Sequence, residues 1–156
     1  MRVACPEKRK PMSDANAAGT SVASRPERRT VLNPPGAPAL FRPGYSHAVR
    51  VTAGELLFIS GQVAWDEAGK IVGLGDPGAQ ARQVFHNLRV ILHSVGADLD
   101  AITKLTVYVT SFDWFEELAA IRGELFPEGP PASSLIQVAG LVLAEFLIEV
   151  DAVAAI

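Results

Sequence analysis

The chain has 156 residues, 49% of them hydrophobic and 20% charged, an ordinary soluble globular composition long enough for one domain with a real core. The formal charge of −3 hides an asymmetry: the first 30 residues carry seven basic and three acidic side chains, the rest seven and fourteen. An acidic body repels phosphate backbones and argues against nucleic-acid binding, and no apolar run approaches the length of a bilayer span, which argues against a membrane partner. Cys5 is the only cysteine, so no intrachain disulfide forms. With no secretory apolar segment either, the expected location is cytoplasmic.

Residues 1–32 are rich in Ala, Ser, Pro, Arg and Lys without periodicity. They read as a disordered tail ahead of a domain at 33–156. Residues 33–44 form a Pro- and Gly-punctuated lead-in. A strand is expected at 45–51, a turn at Ala53-Gly54, and a buried apolar strand at 55–60. Gly61 and Gln62 interrupt that strand as a bulge does. It resumes at 63–65, turns at 66–69 and returns as a short strand at 70–72. Asp76 then caps a helix with Pro77 at its first position. Ala81, Val84, Phe85, Leu88, Ile91, Leu92 and Val95 recur at helical spacing until Gly96 stops it. Arg82, His86, Arg89 and His93 lie on the opposite, solvated side. Residues 102–110 alternate as a strand, Leu105, Val107 and Val109 against Lys104, Thr106 and Tyr108. Asp113, with Glu116 three residues on, reads as the capping box of a second helix. Its stripe is Trp114, Leu118, Ile121 and Leu125, and Pro127 ends it. Strands at 133–138 and 146–154 complete the chain.

The order β-β-β-α-β-α-β-β gives an α+β domain: a single mixed β-sheet with two helices on one face. The other face bears Leu, Val and Phe and has no helix to cover it, which predicts a homo-oligomer.

The segments PGYSHAVRV, LLFISGQVAWD, GDPGAQARQVFHNLRVILHSVGA, ITKLTVYVT, PPASSLIQV and LIEVDAVA follow one another in an order that resembles the RidA (YjgF) family of imine and enamine deaminases. The likeness runs from about residue 32 to the end. It implies the chorismate-mutase-like fold of that family, a barrel-like homotrimer, and a small-molecule ligand in clefts at the subunit interfaces. It implies no metal and no organic cofactor. The implied reaction hydrolyses a reactive imine to a carbonyl compound and ammonia. By position, Glu149 activates water, Tyr45 is its catalytic companion, and Gly61 lies close to the ligand. Tyr45 follows Pro43-Gly44 where the family has Gly-Pro, so the local backbone differs.

The same likeness places Ser133 where the family's Pro-Ala-Arg-Ser motif has its arginine. That arginine grips a substrate carboxylate through two parallel hydrogen bonds. A charge-assisted bond contributes about 1.5–3 kcal/mol and a neutral one about 1 kcal/mol, so one hydroxyl does not replace the clamp. Ser133 and Ser134 then line a small, uncharged mouth, with Leu135 at a common cysteine position and Ala119 at a helix asparagine position. The expected function is hydrolysis of imines or enamines that lack an essential carboxylate, and not of acidic 2-imino acids. The alternative is a non-catalytic trimer that binds a small ligand. An endoribonuclease, an activity also attached to the family, ranks third because the body is acidic and no basic groove is evident.

The residues have plainer readings too. Glu149 and Asp151 lie two apart on one strand and share a face, which suits acid–base chemistry and equally a polar face meeting water. His47 follows Tyr45 at strand spacing and is a candidate ligand contact; a polar strand edge is the simpler reading. Arg42, Arg50 and Arg122 are the cations left to reach the cleft, and Arg122 reads as a solvated helical arginine. No His, Cys or acid spacing suits a metal. GLGDPG (73–78) lacks the lysine of a phosphate cradle and fits a turn with a helix cap.

Overall fold

The computed structural model describes residues 29–40, 44–52 and 54–156. Its strands are β1 (Arg29–Leu32), β2 (Ala48–Val51), β3 (Leu56–Gln62), β4 (Ile102–Val109), β5 (Ala132–Gln137) and β6 (Ile148–Ala155). Its helices are α1 (Pro77–His93) and α2 (Phe115–Leu125). The Asp76 side chain accepts the Ala79 N–H at 2.9 Å, so α1 begins where the sequence predicts.

Four strands form the main sheet in the order β3-β6-β4-β5. β4 and β5 are parallel and joined through α2, while β6 runs antiparallel to both β3 and β4. The sheet is therefore mixed, and the domain is α+β with two helices. On one face Leu105, Val107, Val109, Ile148, Val150 and Ala152 are buried against Val84, Phe85, Leu88 and Leu92 of α1 and Leu118 and Ile121 of α2. Each large apolar side chain so buried contributes about 1.5–3 kcal/mol. The other face is open: Phe58 is 74% exposed and Leu56 52%.

Along the chain the order of element types is the expected β-β-β-α-β-α-β-β, but the strands that fill it differ. The return strand at 70–72 reduces to a single bridge between Trp65 and Ile71. The additional strand is β1, which lies inside the segment expected to be tail, so the ordered part begins at Arg29 rather than at residue 33. Residues 1–28 lie outside the described residues. β1 pairs with β2 as a two-stranded ribbon beside the main sheet, joined to it by the bridge between Ser46 and Ala132. RTVL gains its strand geometry from that distant pairing, which local composition does not reveal. The capping box of the second helix is also absent. Trp114 stands at the N-cap with no side-chain capping bond, and Ser111 Oγ accepts the Asp113 N–H at 3.0 Å instead. The backbone donor that a capping box would use at Asp113 is thus taken by a neighbouring serine.

Candidate functional site

The first half of the site sits where β3 meets β6. The register slips between Ile59 and Gln62, the expected bulge. It brings Gly61 against Glu149. A Cβ at Gly61 would collide with Glu149 Oε1 and approach its Cγ to 3.0 Å. A glycine is therefore what lets the carboxylate lie over this backbone. The segment after the bulge is held from α1: Asn87 Nδ2 donates to Val63 O at 3.0 Å and to Trp65 O at 2.9 Å. Gln80, fully buried, donates to Gly73 O and Glu145 O and accepts the Leu147 N–H just ahead of β6. Two amide side chains on one helix thus fix both strands that carry Gly61 and Glu149.

The second half lies at the β5 edge. Ser46 N–H donates to Pro131 O at 3.0 Å, which docks the half-buried Tyr45 segment onto the start of β5. Ser133 pairs with Leu105 and therefore points to the helix side; Ser134 pairs with Thr106 and points to the open side. The Ser133 Oγ is buried with no hydrogen-bond partner. Ser134 Oγ accepts from Lys104 Nζ at 2.7 Å.

Within one chain the halves do not meet. Glu149 pairs with Tyr108 and faces the open side, the opposite face from Ser133. The order β6-β4-β5 also puts two strand spacings, roughly 10 Å, between them.

Between the halves the open face carries polar groups that strand alternation alone did not single out. Tyr108 OH donates to Asp151 Oδ2 at 3.1 Å. That bond and the carboxylate's charge raise the Tyr108 pKa. Burial pulls the Lys104 pKa down; Asp151 opposes that and Arg122 adds to it. Lys104, Thr106 and Tyr108 were placed on one face by their spacing, but their partners on β5 and β6 follow only from the register.

Two sequence expectations change. His47 precedes β2 rather than lying within a strand, and Asn33 Oδ1 accepts its backbone N–H at 3.0 Å and lies 3.1 Å from its Nδ1. It is an exposed residue tied to the end of the ribbon. Arg122 is not solvated: it is 6% exposed and its Nη2 donates to Gly44 O at 2.7 Å. Leu118 and Arg122 share the buried side of α2, whereas Trp114 and Leu125 are only half-buried. Arg50 is exposed on β2, and Arg42 lies outside the described residues. Among the described residues no group of three or more His, Cys, Asp or Glu side chains is placed to hold a metal ion, and no helix is long and apolar enough to cross a membrane.

A family model described as Endoribonuclease L-PSP matches residues 37–156. The chain belongs to the Rid/YjgF family. Among Rid-family structures, YyfB of Yersinia pestis, a protein of unknown function, superposes with a TM-score of 0.75 at 37% identity, covering 83% of this chain and 99% of that one. A putative endoribonuclease of Thermotoga maritima gives a TM-score of 0.61 at 33% identity, with 81% and 97% covered. Protein DfrA of Myxococcus xanthus is 34% identical over 126 residues, 81% of this chain and 95% of DfrA. A RutC family protein of Pyrococcus horikoshii is 38% identical over 111 residues, 70% and 85% of the two chains. Two helices packed on a mixed sheet are the arrangement of this Rid fold.

Proposed function

We propose that this Rid-family chain assembles as a homotrimer whose interface clefts hydrolyse small imines or enamines that lack an essential carboxylate. The observation that carries the reading is the separation of the two half-sites. Gly61 and Glu149 lie at one end of the sheet, while Tyr45 and Ser133 lie at the other, with Ser133 on the opposite face. A second copy that seats its β5 edge beside the β3–β6 edge of the first completes one cleft, and cyclic repetition closes the ring. The exposed Leu56 and Phe58 beside Glu149's strand supply apolar area for that contact.

In the cleft, Glu149 accepts a proton from water as the water oxygen bonds to the C=N carbon. The nitrogen takes up a proton to give a carbinolamine. Glu149 then relays the hydroxyl proton to the nitrogen as the C–N bond breaks and the C=O bond forms, and the products are a carbonyl compound and ammonia. Tyr45 and the Gly61 backbone orient the substrate. Ser134 offers it a hydroxyl on the open face, while Ser133, whose Oγ is buried on the helix side, stands at the position of the family's guanidinium. β5 contributes no guanidinium to bind an acid group, which favours neutral substrates; the cation beside it is Lys104 of β4, which donates to Ser134 Oγ.

Ammonia release from a freshly generated neutral imine tests the reading, together with light scattering for the mass of three chains. Glu149→Ala should lower turnover about 100-fold or more, the scale of a lost general base. Ser133→Arg should raise turnover of an imino acid about tenfold, the value of a charge-assisted over a neutral bond. Wild type and Ser133→Arg acting equally well on an imino acid would refute the neutral-substrate reading. Neutral-imine binding without turnover would identify a binding trimer instead. Cleavage of RNA by the wild type would favour the endoribonuclease.

A further inference from the structure

Arg122 has a surrounding that stability does not account for. It is 6% exposed, yet no carboxylate of the described residues forms an ion pair with it. Its Nε is buried with no partner. Burial lowers its pKa to about 10, which leaves it charged at neutral pH. A buried charge without an opposite charge is destabilising relative to an apolar side chain of similar volume. Helix α2 holds this guanidinium in its packed face all the same.

The guanidinium's hydrogen bond is with backbone. Nη2 donates to the Gly44 carbonyl at 2.7 Å. Gly44 has φ +87°, and a Cβ there would lie 2.8 Å from Arg122 Cβ. Glycine is thus required at position 44 twice over, by conformation and by the close passage of the loop over α2. The Gly44 carbonyl and the Tyr45 amide belong to one planar peptide unit. Fixing that carbonyl fixes the plane from which Tyr45 departs. On its other side, the Ser46 amide donates to Pro131 O at 3.0 Å, and Ser46 is 2% exposed. Tyr45 therefore stands between two pinned peptide units, one held by α2 and the next by β5.

We propose that Arg122 is a positioning residue, whose bond to the Gly44 carbonyl sets where Tyr45 enters the cleft. The role assigned to Tyr45 rests on the function proposed above; the mechanical coupling of Arg122 to Tyr45 does not. The guanidinium is committed to backbone, so it serves the cleft by orienting a neighbour.

The experiment compares wild type, Arg122→Met and Arg122→Lys in the full chain by melting temperature, amide exchange at Tyr45 and Ser46, and kcat and KM on a neutral imine. For Met, the melting temperature should stay within about 3 °C or rise, because an unpaired buried charge is removed. Exchange at Tyr45 and Ser46 should quicken about tenfold or more as the anchor opens locally. Turnover should follow, with kcat down about tenfold and KM changed by less than about threefold. Lys, which keeps a donor, should restore at least about a third of kcat. Unchanged exchange and kcat in the Met variant would overturn the proposal. So would a melting temperature lowered by more than about 8 °C with wild-type kcat in the folded protein, the mark of a purely structural residue. If wild type hydrolyses no imine, the proposed function fails on that result, and exchange at Tyr45 and Ser46 alone decides the coupling.

Discussion

The two ends of the sheet carry the two half-sites under different physical constraints. At the β3–β6 end, a bulge, a glycine and a carboxylate interlock, and Asn87 and Gln80 brace the strands from α1. At the β5 end, a buried hydroxyl has no partner, and a buried guanidinium holds a loop carbonyl. The first end is closed to change because each part excludes alternatives for the others. The second tolerates change at one position, since the Ser133 Oγ has no hydrogen-bond partner among the described residues. Under the proposed function, the base is held fixed at one end, and selectivity is free to vary at Ser133 at the other.

The sharpest way to break this contrast is Gly61→Ala. The added methyl meets the far end of the Glu149 side chain first, so the carboxylate swings away while the strand survives. Turnover should fall about 100-fold, close to the loss of the base itself. The folding cost should stay near about 1 kcal/mol, since a flexible side chain yields more readily than backbone. Chemical denaturation alongside ammonia release separates the two effects. A variant of unaltered turnover would show that Glu149 does not need its place over residue 61.

Ser133→Ala probes the other end and should have a smaller effect of opposite sign. Removing a buried hydroxyl that has no partner should leave stability unchanged or raise it by up to about 1 kcal/mol. Thermal melting should show a gain of roughly 0–5 °C. A clear loss of stability would mean that a neighbouring copy or an ordered water satisfies the hydroxyl, and the β5 end would then be as constrained as the other.

Sequence and structure agree most where local chemistry decides. Asp76-Pro77 starts α1, and Gly61-Gln62 marks the bulge, because a cap and a flexible backbone act within a few residues. Glu149 and Asp151 share a face because strands alternate. The misses are non-local. β1 exists because β2 pairs with it, about 20 residues further along the chain. Of the expected stripe on α2, Leu118 and Ile121 are buried but Trp114 and Leu125 only half-buried, and the buried side extends instead to Ala119 and Arg122, the latter assigned to solvent by that stripe. The proline–glycine order before Tyr45 was legible as a departure; its counterpart on α2 was not, since the contact spans 78 positions. His47 was aligned with Tyr45 by a strand period that begins only at Ala48.

The smallest expected effect concerns the strand between the two ends. Tyr108 lies on β4 and donates to Asp151 on β6. The hydrogen bond, then the charge of Asp151, then burial and the charge of Glu149, raise the phenol's pKa, with a bond to Thr106 opposing them. A group whose pKa is raised on folding adds stability that is complete below its unfolded pKa, about 10 for tyrosine. That stability is lost as pH climbs through the folded value. The gap in melting temperature between wild type and Asp151→Asn should therefore narrow above about pH 10. The chain has two tyrosines, so in a Tyr45→Phe background the phenolate absorbance reports Tyr108 alone. Its titration should shift to lower pH in Asp151→Asn. Identical titrations would mean that the Tyr108–Asp151 bond does not persist in solution. Asp151 would then belong with Glu149 as a second free carboxylate of the cleft, and the β3–β6 end would be less tightly specified than its packing implies.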